Sequence, residues 1–256
     1  MTNQTPSIER GFTRINVPYL DERIAFGRPF AGPNDYKSVA KEILNNKTVK
    51  MSLPDGEKTS FLLHAVYCGP KEFQSQPESV ELRDEIMKSR YLHIFQRNLW
   101  VPEKYSAGVF VVYDENGVGT SEELDIGELE KALKGGRKLK NGVRFSEDGK
   151  ISFAPRNTYK EGIFDNPEDF AKDGFIIASN KEEGARNLAE VSHSNHFRYK
   201  KPHSWIVNPD DKPIQTLAAV GDMFWVGGRL VFVGSHLGDG RGWGGCAFWV
   251  SSLGEA

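Results

Sequence analysis

From Leu217 to Leu253 the chain reads LAAVGDMFWVGGRLVFVGSHLGDGRGWGGCAFWVSSL, without a single Lys, Glu, Gln, Asn, Tyr, Pro, Thr or Ile. Elsewhere the same chain is rich in Lys and Glu, so the composition shifts abruptly. Nine glycines and three of the five tryptophans lie between Gly221 and Trp249. Aromatic surface at that density is either removed from water by folding or left exposed to meet another molecule. The glycines permit tight turns and positive φ, while Trp225, Phe248 and Trp249 have the bulk of core anchors. Val231 and Val233 would share one strand face, opposite Leu230 and Phe232. The expectation is a mixture: core residues in a fixed pattern, with surface residues set between them.

The rest of the chain bounds what this segment is attached to. A chain of 256 residues buries roughly 70–75% of its unfolded surface and needs no metal or disulfide to hold a core. The net charge of −2 and a pI near 6.3 give no electrostatic case for nucleic acid. No apolar run approaches the roughly 18 residues needed to cross a bilayer, which argues against membrane insertion. The start, MTNQTPSIERGFTRINV, lacks the basic n-region and apolar run of a secretory signal. Cys68 and Cys246 are too few for a disulfide scaffold. The pair could bridge, but two buried thiols are the expectation for a core of this size.

The periodicity predicts an α+β protein, with mostly antiparallel sheet and helices segregated against it. DYKSVAKEILNN is a helix by the spacing of Val39, Ala40, Ile43 and Leu44, with Asn34 as its expected cap. Val49–Leu53 and Ser60–Tyr67 read as the arms of a hairpin turned by Pro54-Asp55-Gly56. ESVELRDEIMKS is a second helix, and Tyr91–Trp100 and Ala107–Tyr113 are strands. Ser121 begins a short helix ended by Gly135-Gly136, and Val143–Phe145 with Lys150–Phe153 forms a hairpin. Phe175–Ala178 reads as a strand leading into the helix KEEGARNLAEVS, and Cys246–Val250 as a closing strand. No internal repeat or low-complexity linker divides the chain.

The familiar chemical motifs are weak. Gly238-Asp239-Gly240-Arg241-Gly242 has phosphate-loop spacing, but a strand follows it where the helix that holds a pyrophosphate should start. His193 and His196 lie three apart with His203 nearby, yet their surroundings are basic, which opposes a metal cation. Glu122-Glu123 and Glu182-Glu183 fall at expected helix starts, where they favour the helix dipole without any catalytic role. There is no Gly-x-Ser-x-Gly elbow, and neither cysteine has a histidine in the same local motif. No catalytic constellation and no cofactor site emerges, so the reading is of a protein that is not an enzyme.

Phe224-Trp225, Gly227-Gly228-Arg229-Leu230, the glycine-rich loop and Ala247-Phe248-Trp249-Val250 follow one another in an order that resembles the variable proteins of diversity-generating retroelements, in particular the archaeal and archaeal-virus group. Asp173-Gly174-Phe175-Ile176-Ile177-Ala178, Glu183-Gly184-Ala185 and Ser204-Trp205 resemble the body of the same group. The likeness runs from about Trp100 to the end. It implies a C-type lectin-like domain over 101–256, with residues 1–100 packed onto the same unit and a variable region of about 217–250. In that family, template adenines are copied with errors, so AAC codons become NNC, which cannot encode Trp, Met, Gln, Lys or Glu. The resemblance therefore makes Phe224, Val226, Gly228, Val231, Val233, Ser235, His236, Leu237, Asp239, Arg241 and Cys246 candidate variable, ligand-binding positions, and all carry permitted residue types. Trp225, Trp243, Phe248 and Trp249 become scaffold, with Met223 also fixed. The implied partner is a protein or a glycan, with no cofactor or metal, and the implied setting is a virion or cell-envelope surface. Calcium-dependent sugar binding lacks its compact acidic cluster. The alternative is an enzyme on a related lectin-like fold, of the formylglycine-generating oxidase type, which also ends in a glycine-rich, Arg-bearing stretch. That group uses a nearby pair of cysteines, whereas Cys68 and Cys246 are far apart in sequence.

Overall fold

Asp35, Asp55 and Asp173 decide where three helices begin, each side chain accepting from a backbone N–H of the first turn. The computed structural model describes residues 5–9, 14–27, 31–46, 51–87, 91–103, 107–222, 228–236 and 245–252. The chain opens with four strands, β1 (Ser7–Glu9), β2 (Arg14–Tyr19), β3 (Glu22–Gly27) and β4 (Ala31–Asn34). Four helices follow: α1 (Tyr36–Leu44), α2 (Gly56–Cys68), α3 (Lys71–Gln74) and α4 (Pro77–Met87). A long hairpin, β5 (Leu92–Val101) and β6 (Gly108–Tyr113), leads to α5 (Ile126–Ala132) and the short strands β7 (Arg137–Lys138), β8 (Arg144–Phe145), β9 (Ile151–Pro155) and β10 (Gly162–Ile163). Helices α6 (Pro167–Lys172) and α7 (Gly174–His193) precede β11 (His203–Trp205), β12 (Ile214–Asp222), β13 (Leu230–His236), β14 (Gly245–Ala247) and β15 (Val250–Ser252).

Among the described residues the strands form two sheets. One has the order β1-β2-β3-β15, so the last strand closes antiparallel onto the third. The other runs β10-β11-β13-β12-β5-β6-β9-β8-β7, with β4 and β14 joined at the Leu92 end of β5. Pairing is antiparallel except for β11 with β13 and β14 with β5. Strand β5 is the spine and is buried on both faces. Leu92, Ile94 and Trp100 join the main core with Phe175 and Phe232, while Leu99 and Val101 pack with Leu129 and Leu133 around α5. Phe95 belongs to a third cluster with Tyr36, Val39 and Ile43 of α1. The main core draws on residues from Ile15 to Val250, and β5 runs across residue 100.

Several expectations from sequence are corrected. Residues 60–67 are helix, not the second arm of a hairpin, and Asp55 caps that helix, its Oδ1 accepting from Lys58 N at 2.8 Å. Leu62, Leu63, Ala65, Val66 and Tyr67 are all buried, because α2 packs against α7, α4 and the strands β2 and β5. A helix covered on so many sides loses the one-sided apolar stripe that would betray it. Residues 175–178 are also helix, entered through Asp173, whose Oδ1 accepts from Phe175 N and Ile176 N. Asp35 rather than Asn34 caps α1, and Asp125 starts α5 after a separate turn at 119–121. The closing strand is two strands, 245–247 and 250–252, that belong to different sheets.

Helix α7 kinks at Lys181, whose φ of 55° and ψ of −179° lie in a region that glycine normally occupies. The Lys181 Nζ donates to Glu57 Oε2 at 2.7 Å, and the same oxygen accepts from Tyr19 Oη at 2.6 Å. Lys181→Gly and Lys181→Ala both delete the ion pair, so comparing them isolates the backbone. Helix propensity alone favours alanine by about 1 kcal/mol. Relief of strain of about 1–3 kcal/mol reverses that order. The glycine variant is therefore expected to melt higher than the alanine variant, and an alanine variant that matches or exceeds it would remove the strain.

Candidate ligand-binding surface

The C-terminal third is built around one buried polar string. Alternate residues Gln96, Asn98 and Trp100 on β5 face α7, and all three are buried. Asn98 Nδ2 donates to Leu217 O at 3.3 Å and Gly234 O at 3.1 Å. Trp100 Nε1 donates to Thr216 Oγ1 at 2.8 Å, and the Thr216 hydroxyl donates onward to Gly234 O. Gln96 Nε2 donates to Asn98 Oδ1 at 3.2 Å and to Ser179 Oγ at 3.0 Å. These groups are satisfied by one another, and they tie β5, β12, β13 and α7 together in a setting of low dielectric. The string surrounds Gly234, where a Cβ would fall 2.4 Å from Phe175 Cζ. Only a glycine lets β13 approach that ring.

Strand β13 pairs β12 antiparallel, with Asp222 opposite Leu230 and Gly221 opposite Val231. Its even-numbered Phe232 enters the main core against Phe175, ring centroids 5.6 Å apart. Val231 and Val233 face the other way and pack with Tyr91, Ala219 and the edge of Trp205. Val231, Val233 and Cys246 are 0%, 5% and 3% exposed, which corrects the expectation that they form part of a surface. Gly228 is likewise a backbone requirement, with φ +76° and a would-be Cβ 3.2 Å from Arg198 Cβ. Ser235 is half-buried on β13, and His236 ends that strand. Phe224, Val226, Leu237, Asp239 and Arg241, together with Trp225 and Trp243, lie outside the described residues.

Of the expected scaffold, Phe248 is buried in the main core with Cys246 and Val250. Trp249 is half-buried and lies across Gly27, where a Cβ would fall 1.5 Å from its Cε2, with the Arg14 guanidinium 5.7 Å from the ring. The N-terminal strands thus supply what the closing strands pack on, a role that residue patterns in the first hundred positions did not signal.

His193 ends α7, His196 stacks edge-on to Tyr67 with centroids 5.4 Å apart, and His203 stands on β11 beside Trp205 at 5.6 Å. Burial, with Arg83 near His196 and Arg229 near His203, holds both imidazoles below the usual histidine range. Among the described residues no three His, Cys, Asp or Glu side chains converge as a metal site. Cys68 and Cys246 form no disulfide, and Cys68 is half-buried rather than buried. Because 56–68 is helical, His64 lies one turn from Cys68, a proximity the strand reading concealed. His64 Nε2 is 2.8 Å from Glu190 Oε2. Burial and then the Glu190 carboxylate push the Cys68 thiol up to about 12, so at neutral pH it is a thiol and not the nucleophilic thiolate.

The fold and site define a mixed α+β protein, whose glycine-rich C-terminal segment supplies β13, β14 and β15, while 223–227 and 237–244 lie outside the described residues. Comparison with protein-family models, curated proteins and solved structures returns no match. Among the described residues no helix is long and apolar enough to cross a membrane.

Proposed function

We propose that this protein is a non-enzymatic ligand-binding protein with a C-type lectin-like fold, in which Phe224, Val226, Leu237, Asp239 and Arg241 belong to a retroelement-diversified surface that meets a protein or glycan. The observation that carries the reading is the partition of the candidate positions. Every candidate inside Leu230–Val233 or Gly245–Ala247 is buried, and five of the remainder, Phe224, Val226, Leu237, Asp239 and Arg241, lie outside those strands in the sequence. Variable residues on loops rooted in a rigid sheet are how a binding surface changes without losing its scaffold. Exposed substitutions usually cost within about 0.5 kcal/mol, whereas the buried set tolerates little.

The test is a displayed library in which the codons of those five residues are replaced by NNC and selected on a fixed test protein, lysozyme. Folded clones that bind lysozyme are expected, with Phe224 and Arg241 positions contributing most, because aromatic and Arg side chains concentrate binding energy. A library that folds but yields no binder on lysozyme or on an immobilised glycan panel would contradict the reading. So would an NNC library at Val231, Val233 and Cys246 that folds equally well.

A further inference from the structure

Gln96 is only 2% exposed, yet one of its polar atoms is left over. The order of the polar string fixes which one. Asn98 Nδ2 donates to Leu217 O and Gly234 O, so Asn98 Oδ1 is the acceptor that faces Gln96. Gln96 Nε2 donates to that oxygen and to Ser179 Oγ, and Gln96 Oε1 has no partner among the described residues. Glu57, 4% exposed, shows the same asymmetry. Tyr19 Oη and Lys181 Nζ both donate to its Oε2, which leaves Oε1 free. Gln96 and Glu57 line one cleft of about 350 Å³, counted with its solvent-filled mouth, and Val111, Tyr113 and Phe145 form its apolar wall. Neither free oxygen is fully enclosed by protein, so both open on the cleft that their residues line. Acceptors on such buried side chains call for a donor from outside the chain. The mouth has the opposite chemistry. Lys181 Nζ lies 3.6 Å from where a Cβ on Gly149 would stand, and Lys150, next in that turn, lines the same cleft. Lys181 donates to Glu57 and Lys150 to Glu115, and both ammonium groups are part-exposed with further N–H donors to offer. Asp55, the other acid of the cleft, has both oxygens engaged by Lys58.

We infer that this cleft binds a small free α-amino acid, with its ammonium between Glu57 Oε1 and Gln96 Oε1 and its carboxylate against Lys150 and Lys181. An ammonium only donates and a carboxylate only accepts. Acceptors on the deep wall and donors at the mouth therefore orient such a molecule one way round. The Ser152 and Tyr113 hydroxyls, also on the lining, already donate to Ala178 O and Leu53 O, so they add no competing donor. The charges of the lining cancel, Asp55 and Glu57 against Lys150 and Lys181. That balance matches a zwitterion, whereas an ion of either sign would leave one charge of the site unanswered. The apolar wall suits a methyl or other short apolar side chain. All of these residues lie outside the candidate variable set, so the inference stands apart from the diversified surface.

The test is calorimetric titration of the full chain with L-alanine, and with propionate and ethylamine, which each carry one of its two charged ends. Saturable binding of one L-alanine per chain is expected, with propionate and ethylamine each weaker by about tenfold or more, the loss of a charge-assisted hydrogen bond. Lys150→Gln, at an exposed position, should weaken L-alanine by about tenfold and leave the weaker ethylamine binding unchanged. Glu57→Gln should weaken both, and circular dichroism of that variant separates loss of contact from loss of fold. Propionate or ethylamine binding as tightly as L-alanine would overturn the assignment to a zwitterion. Absence of saturable L-alanine binding at millimolar concentration, or binding indifferent to Lys150→Gln, would overturn the site and leave the cleft to water. Neither outcome bears on the loop library, whose randomised positions are different.

Discussion

Trp100→Ala is expected to lower the unfolding free energy by about 3–5 kcal/mol, the range for removing a fully buried aromatic side chain. Trp100 is among the largest side chains in the protein with no exposure, and it packs on Phe175 at 4.9 Å and Tyr159 at 5.8 Å between centroids. The indole also fixes the Thr216 hydroxyl that in turn bonds Gly234 O. Trp100→Phe keeps most of the packing and deletes only the Nε1 donor, so its cost should be nearer 1 kcal/mol, the net worth of one internal hydrogen bond, plus the small cavity it leaves. Denaturant unfolding measures both. A loss below about 1 kcal/mol for Trp100→Ala would mean that the indole is not in the interior.

The second large effect separates frame from loops with a single residue type that an NNC codon allows. Val231→Asp or Val233→Asp places a carboxylate in a small apolar cluster with Tyr91 and Ala219. An uncompensated buried charge costs about 3–5 kcal/mol, a large share of the 5–15 kcal/mol that holds a typical domain folded. Both variants should therefore unfold at markedly lower denaturant, or fail to accumulate as folded protein. Val226→Asp and Leu237→Asp, in the proposed loops, should stay within about 0.5 kcal/mol of the parent. Four variants of equal stability would erase the distinction between frame and loop.

What could be read from sequence follows from how each element is covered. Strands β5 and β6, the β8–β9 hairpin, and helices α1 and α4 were legible, because a turn residue or an apolar period marks each. Helix α2 and the first turns of α7 were not, since burial on several sides left continuous apolar runs that mimic strands. The readable signal there was the cap, Asp55 before Gly56 and Asp173 before Gly174, and in both cases the apolar run outweighed it. The frame was half legible. The alternation through Leu230–Val233 gave the two faces correctly, but a strand with both faces buried looks no different in sequence from one with a face in water. The polar string joining Asn98 to Leu217 and Gly234, and Trp100 to Thr216, spans more than a hundred residues, and no local pattern encodes such a distance.

The most direct measurement is the genomic sequence flanking the gene, searched for a near-copy of the coding stretch for residues 217–250 beside a reverse transcriptase. The account predicts such a repeat, with mismatches confined to positions where the near-copy has adenine. Those mismatches should fall on the codons of Phe224, Val226, Leu237, Asp239 and Arg241, and spare those of Val231, Val233 and Cys246. A genome with no near-copy, or one whose mismatches ignore adenine or strike the buried codons as often as the loops, would contradict it.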